Sequence, residues 1–106
     1  MDKDFVPWLN QSISYEVFKS QSGALQKTYN TAVTLPCLLQ GRKTYVRTLA
    51  GELVLSNRVI YINGTDKPAG QSVKDRITYE GLVLPILGYS NMYDEKGTLD
   101  HVEVYV

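Results

Sequence analysis

The chain has 106 residues, eleven Lys and Arg against eleven Asp and Glu, and a formal net charge of zero. That length fits one domain of about 100–150 residues, and neutrality leaves no overall field to draw it onto nucleic acid or an anionic membrane. Cys37, the single cysteine, excludes an internal disulfide, and no apolar run approaches the roughly 20 residues that span a bilayer.

The opening MDKDFVPWLN lacks the basic region and apolar run of a secretory signal, so synthesis in a reducing cytosol is the expectation. Residues 1–11 read as an arm or short helix: Asp2 is placed to cap a turn carrying Phe5, Trp8 and Leu9, and Pro7 limits its length. Ser12 to Lys19 alternates as a strand, with Ile13, Tyr15 and Val17 on one side. Ser20-Gln21-Ser22-Gly23 closes it. Lys27 to Leu35 resumes the alternation, and Pro36, which has no N–H to donate, predicts a bulge or bend. Cys37 to Gln40 continues as a short buried run, and Gly41-Arg42-Lys43-Thr44 marks a break before Tyr45, Val46 and Arg47.

Residues 41–57 then form a loop or hairpin with an unusual turn, LAGEL at Leu49 to Leu53, apolar at both ends where loop tips are ordinarily polar. Leu53 to Ile62 is strongly strand-like. Asn63 to Ser72 is the longest turn-rich loop. Its Asn63-Gly64-Thr65 matches a glycosylation sequon, as does Asn10-Gln11-Ser12, but reads better as turn chemistry. Asp75 to Tyr79 is a short strand, and Glu80-Gly81 turns tightly into a further strand at Leu82 to Tyr89 containing Pro85. After a turn at Asp94 to Gly97, LDHVEVYV forms the last strand, with Val102, Val104 and Val106 inward and Asp100, His101 and Glu103 as surface polar groups. The pattern is all-β: one small barrel of about six to eight short antiparallel strands, preceded by the N-terminal arm.

Reactive chemistry finds little support. A structural zinc takes about four Cys or His ligands and a catalytic one about three; the chain has one of each. His101-Val102-Glu103 and Pro36-Cys37 echo the halves of a zinc deaminase signature, but in reversed order and with Gln40 in place of the second cysteine. Asp94, Glu95, Asp100 and Glu103 lack the alternation of a calcium loop. A Cys37–His101 nucleophile pair would need a thiol that the surrounding Leu35-Pro36-Cys37-Leu38-Leu39 reads as buried. Phosphate-binding glycine patterns are missing. The chain therefore reads as a non-enzyme without cofactor or metal. Arg42, Lys43 and Arg47, with Tyr45 between them, form a small basic group that suits a solvated or subunit-facing edge better than a nucleic-acid site.

What remains is a β domain with an apolar loop and free strand edges, features that assembly components use. The layout resembles the head completion proteins of long-tailed bacteriophages, also called head closure proteins or connector stoppers. The resemblance is carried by TAVTLPCLLQ at Thr31 to Gln40, by Tyr45-Val46-Arg47 running into the A-G-E turn and Val59 to Ile62, by V-K-D-R-I at Val73 to Ile77, by G-L-V-L-P-I at Gly81 to Ile86, and by the closing D-H-V-E-V-Y-V. These segments are spread over Thr31 to Val106, the last 76 of the 106 residues.

The resemblance implies a β-barrel that assembles in the host cytoplasm as a hexameric or dodecameric ring and ends in the neck of the virion. Its partners would be copies of itself, the portal adaptor or head–tail connector protein, and a tail terminator or tail-completion protein. Packaged double-stranded DNA would occupy the channel without sequence-specific binding, a situation that suits a neutral protein. By position, the channel or plug element would be the 41–57 segment, with Arg42, Lys43, Tyr45, Arg47, Leu49, Leu53 and Leu55 as its candidate residues. Three alternatives stand beside this reading: a tail terminator or tail-completion protein, an OB-like single-strand nucleic-acid binder stacking bases on Tyr45, Tyr61 or Tyr79, and a hydrolase built on Cys37 and His101.

Overall fold

The computed structural model describes residues 6–22, 26–48, 50–67 and 71–106. Asp2, Phe5 and Leu49 lie outside these, as does the 68–70 part of the long loop. The chain is mostly β, as its alternation predicts. A 3-10 turn at Val6–Trp8 leads into strands β1 (Gln11–Glu16), β2 (Phe18–Ser22), β3 (Gln26–Tyr29), β4 (Val33–Arg47) and β5 (Leu53–Asn63). A second 3-10 turn, Gly64–Asp66, precedes β6 (Arg76–Tyr79), β7 (Leu82–Leu84), β8 (Gly88–Tyr93) and β9 (Leu99–Tyr105).

Seven strands form one antiparallel sheet in the order β7-β6-β1-β4-β5-β9-β8, and β2 with β3 makes a separate hairpin. β7 and β8 are consecutive in the chain yet occupy opposite edges. Only Pro85, Ile86 and Leu87 link them, a reach of at most about 14 Å, so the sheet must roll. The Tyr15 hydroxyl on β1 confirms the roll: it lies 2.6 Å from the Tyr89 hydroxyl on β8, four strands away in the ladder, where a flat sheet would separate them by roughly 19 Å. Among the described residues no ladder joins β7 to β8. The expected barrel is thus a rolled, open sheet, because one segment bent at Pro85 supplies both edges and the proline has no N–H to extend a ladder.

The concave side holds the core: Ile13 and Tyr15 from β1, Leu35 and Cys37 from β4, Ile60 and Ile62 from β5, Ile77, Leu84, Val102, Val104 and Val106. The parity of β9 is as the sequence implies, valines inward and odd residues outward. Glu80 (φ 50°) and Gly81 (φ 79°) both take positive φ, the backbone of a two-residue hairpin turn.

Several boundaries differ from expectation. Ser12 to Lys19 is two strands broken at Val17, and Lys27 to Leu35 is broken between Tyr29 and Val33. Pro36 neither bends nor bulges the ladder. It pairs with Ser12 on β1 and sits one residue before the β4–β5 ladder begins at Cys37, where its missing donor leaves no bond unmade on that side. The break expected at Gly41 to Thr44 is instead a bulge inside a continuous strand.

Candidate functional site

β4 is the longest strand, and its two ends do different work. Val33 to Cys37 pairs with β1, and on β5 the ladder with β9 covers Val59 to Asn63. Beyond these, Thr44–Arg47 and Leu53–Ser56 pair only with each other, a two-stranded arm closed by a turn in which Thr48 N–H donates to the Glu52 carbonyl. The molecule measures 46 × 31 × 28 Å along its principal axes.

The bulge sets what the arm displays. Gly41 opposes Arg58 while Thr44 opposes Ser56, so β4 carries one residue more than β5 and its alternation flips. Before the bulge the odd residues Leu35 and Cys37 face the core; after it the even residues Thr44 and Val46 face inward. Val46 lies so tightly over Gly88 that any side chain there would collide with it. Tyr45 and Arg47 are consequently turned outward beside their cross-strand partners Leu55 and Leu53. Tyr45 is 70% exposed, Leu53 58% and Leu55 41%. Among the described residues, nothing shelters this apolar cluster on its two-stranded extension.

Of the seven residues singled out on this segment, the structure brings Tyr45, Arg47, Leu53 and Leu55 onto one face. Lys43 is exposed at the bulge. Leu49 lies outside the described residues. Arg42 differs from the rest, since it turns back to the outer surface of the sheet, where its Nη1 donates to the Tyr61 hydroxyl at 2.9 Å and its Nη2 lies 3.7 Å from Glu103.

Glu103 is therefore not the surface group its sequence position implies. It is 8% exposed, with His101 Nε2 at 3.5 Å and the Tyr105 hydroxyl at 3.5 Å. His101 Nδ1 lies 2.6 Å from Asp100 Oδ2, and that hydrogen bond holds the Asp100 carboxyl below the ordinary range. Burial, with the Glu103 charge second, raises the Tyr105 phenol. These groups form one polar seam on the convex face that ties the base of the arm to β9. Any Cys37–His101 pair is ruled out by the sheet itself. Cys37 is fully buried on the concave side, its thiol pushed up to about 11 by burial, while His101 belongs to the convex side. Of the tyrosines named as stacking candidates, Tyr61 is held by Arg42 and packs on His101, and Tyr79 packs against the core.

Two features were not legible as sites. A buried polar knot joins Tyr15, Tyr89 and Asp75, the last accepting from the Tyr15 hydroxyl at 2.6 Å, Phe18 N at 2.7 Å and Ser72 N at 2.9 Å. At the far end of β4 from the arm, an apolar-floored cleft of about 360 Å³ opens at the mouth of the rolled sheet. Val17, Val33 and Leu35 floor it, and Asp66 and Lys67 stand at its rim. Their signal in the sequence is only an apolar strand start, Val33 to Leu35, lying 30 residues from the turn that completes the cleft. Among the described residues no helix is long and apolar enough to cross a membrane. In comparisons with known proteins, no family model, no curated protein and no solved structure matches the chain.

Proposed function

We propose that this chain is a structural protein of the bacteriophage neck, a head completion or stopper subunit. Copies of it form a ring that closes the portal channel after DNA packaging and presents the docking surface for the tail. It performs no catalysis, and it works through contacts with itself, with the portal adaptor and with a tail protein. The observation that carries this reading is the β4–β5 arm. A bulge in β4 turns Tyr45 outward beside Leu55 and Leu53 of β5, so that three large apolar side chains stand exposed on one face of the arm, an arrangement suited to cover by another chain. Full burial of each is worth about 1.5–3 kcal/mol. In this reading, which follows the sequence resemblance, the covered surface lies around a channel. Arg42 supports the same reading, because its charge is taken up by Glu103 and Tyr61 instead of standing free toward DNA.

The test uses DNA-filled, tailless heads prepared from cells that lack the protein. Purified protein added to such heads is expected to co-sediment with them and to keep their DNA resistant to nuclease. The folded variant Tyr45→Ser/Leu53→Ser/Leu55→Ser is expected to lose that protection. Failure of the wild-type protein to bind these heads overturns the proposal, and binding to tail tubes instead assigns it to tail completion.

A further inference from the structure

The arm and the mouth lie at opposite ends of one strand. From Val33 to Tyr45 is twelve residues of β4, roughly 40 Å at strand rise, close to the 46 Å long axis of the molecule. One pole bears an apolar projection and the other an apolar-floored concavity. Building on the reading of the chain as a self-assembling ring subunit, we propose that the ring is joined head to tail, the outer face of the arm of one copy seating in the mouth of the next.

The occupant is thus a second copy of this chain, and charge order supports it. The arm's apolar cluster is flanked by exposed Arg47 and, at its tip, exposed Glu52. The floor of Val17, Val33 and Leu35 is rimmed by Asp66 and Lys67. Each set offers one charge of either sign, so Arg47 meets Asp66 and Glu52 meets Lys67 as the apolar residues engage. Val33, 55% exposed in the single chain, becomes covered together with Tyr45, Leu53 and Leu55.

The symmetry follows from the geometry. In a ring, each contact joins two different patches and leaves one arm and one mouth free at every step until the series of copies closes. Two copies could satisfy both only by lying antiparallel, each arm in the other's mouth, and a cross-linked species that stops at the dimer would be that arrangement and would overturn the ring. A buried Tyr contributes about 150–250 Å², and three or four side chains stay below the roughly 800 Å² per partner of a standard interface. A single contact is accordingly weak, and closure, in which every copy makes two, holds the ring together. The expected behaviour is monomers and rings with little dimer between.

Cross-linking tests this directly. Leu55→Cys and Val33→Cys are made separately, both at exposed positions, and the proteins are treated with a short bismaleimide alone and mixed; Cys37 is fully buried and does not compete. The mixture is expected to give a covalent pair that neither variant gives alone. A covalent pair from Leu55→Cys alone would mean that arms meet arms, overturning the head-to-tail contact while leaving the ring intact. Rings without any cross-link overturn it as well, and the absence of both rings and cross-links overturns the ring reading with it. As a second measurement, Arg47→Asp or Asp66→Arg is expected to weaken assembly about tenfold or more, and the double exchange in one chain to restore it; no restoration counts against the pairing.

Discussion

Asp75 sits at the centre of the buried polar knot beside the roll of the sheet, and replacing it with alanine is a sharp perturbation of the fold. It is 6% exposed and accepts three hydrogen bonds from three different places: the Tyr15 hydroxyl on β1, Phe18 N at the start of β2, and Ser72 N in the segment before β6. Tyr15 in turn touches the Tyr89 hydroxyl, which donates to the Ser72 carbonyl. The carboxylate thus ties together β1, β2 and the segment before β6, and the Tyr89 hydroxyl joins that knot to β8. A buried donor left without its acceptor costs about 1–3 kcal/mol. With water reaching the two part-buried amides, Asp75→Ala is expected to destabilise the protein by about 3–5 kcal/mol, a large share of a small domain's roughly 5–15 kcal/mol. Tyr15→Phe removes one donor and leaves the two amide bonds to Asp75, so its cost is about 1–2 kcal/mol. Because the pair shares one bond, the double variant should fall short of the sum by about 1 kcal/mol. Urea unfolding of the four proteins at neutral pH, compared at equal slope, measures all three quantities. An Asp75→Ala cost below about 1 kcal/mol, or strict additivity, would refute the claim that this knot holds the roll.

Deleting Val102 to Val106 removes three inward valines, two of them fully buried, and with them the partners of both β5 and β8; at about 1.5–3 kcal/mol each the loss leaves no folded protein, and dispersed amide resonances from the truncated chain would contradict this. Cys37 gives an alkaline limit. Its folded value of about 11 lies above the ordinary 9.0, so its contribution is complete below pH 9 and is lost as the pH rises through 11, amounting to about 2–3 kcal/mol. Unfolding of wild type and Cys37→Ala across that window should show the steeper decline in the wild type, and parallel curves would contradict it. Glu16 gives the acid counterpart: the two hydrogen bonds from Arg76 hold its carboxyl below the ordinary 4.5, so stability present above that value is lost as the pH falls through the depressed one, and Glu16→Gln should flatten that slope in acid unfolding. Gly64→Ala drives a Cβ into the Leu99 carbonyl and should cost about 1–3 kcal/mol by thermal melting; an unchanged melting temperature would show that the 3-10 turn gives way freely.

The sequence made the strand content, the Glu80-Gly81 turn, the inward valines of β9 and the apolar character of the 41–57 hairpin legible, because each is a local matter of period or turn chemistry. The parts it hid are set by long-range register. Nothing near Arg42 announces that a bulge there will reverse the parity of β4, so Tyr45 and Arg47 cannot be assigned a face from alternation alone. Glu103 reads as a solvent-facing residue because its partners Arg42 and Tyr61 come from strands 61 and 42 positions away. The link from β7 to β8 spells a strand with a proline in it, and only the ladder order shows that it joins the two edges of a rolled sheet. The mouth beneath Val33 exists because Asp66 and Lys67 follow β5 to the same end of the molecule, a juxtaposition that no local pattern encodes.

The most direct test of the central claim is the particle that the wild-type protein forms, read by native mass spectrometry and electron microscopy beside the Tyr45→Ser/Leu53→Ser/Leu55→Ser variant. The expected result is closed rings of one stoichiometry for the wild type, alone or on DNA-filled heads, and monomers of unchanged melting temperature for the variant. A wild-type protein that stays monomeric at every concentration and on heads, or a variant that still forms the same rings, would contradict the assignment of the arm as the surface through which this protein assembles.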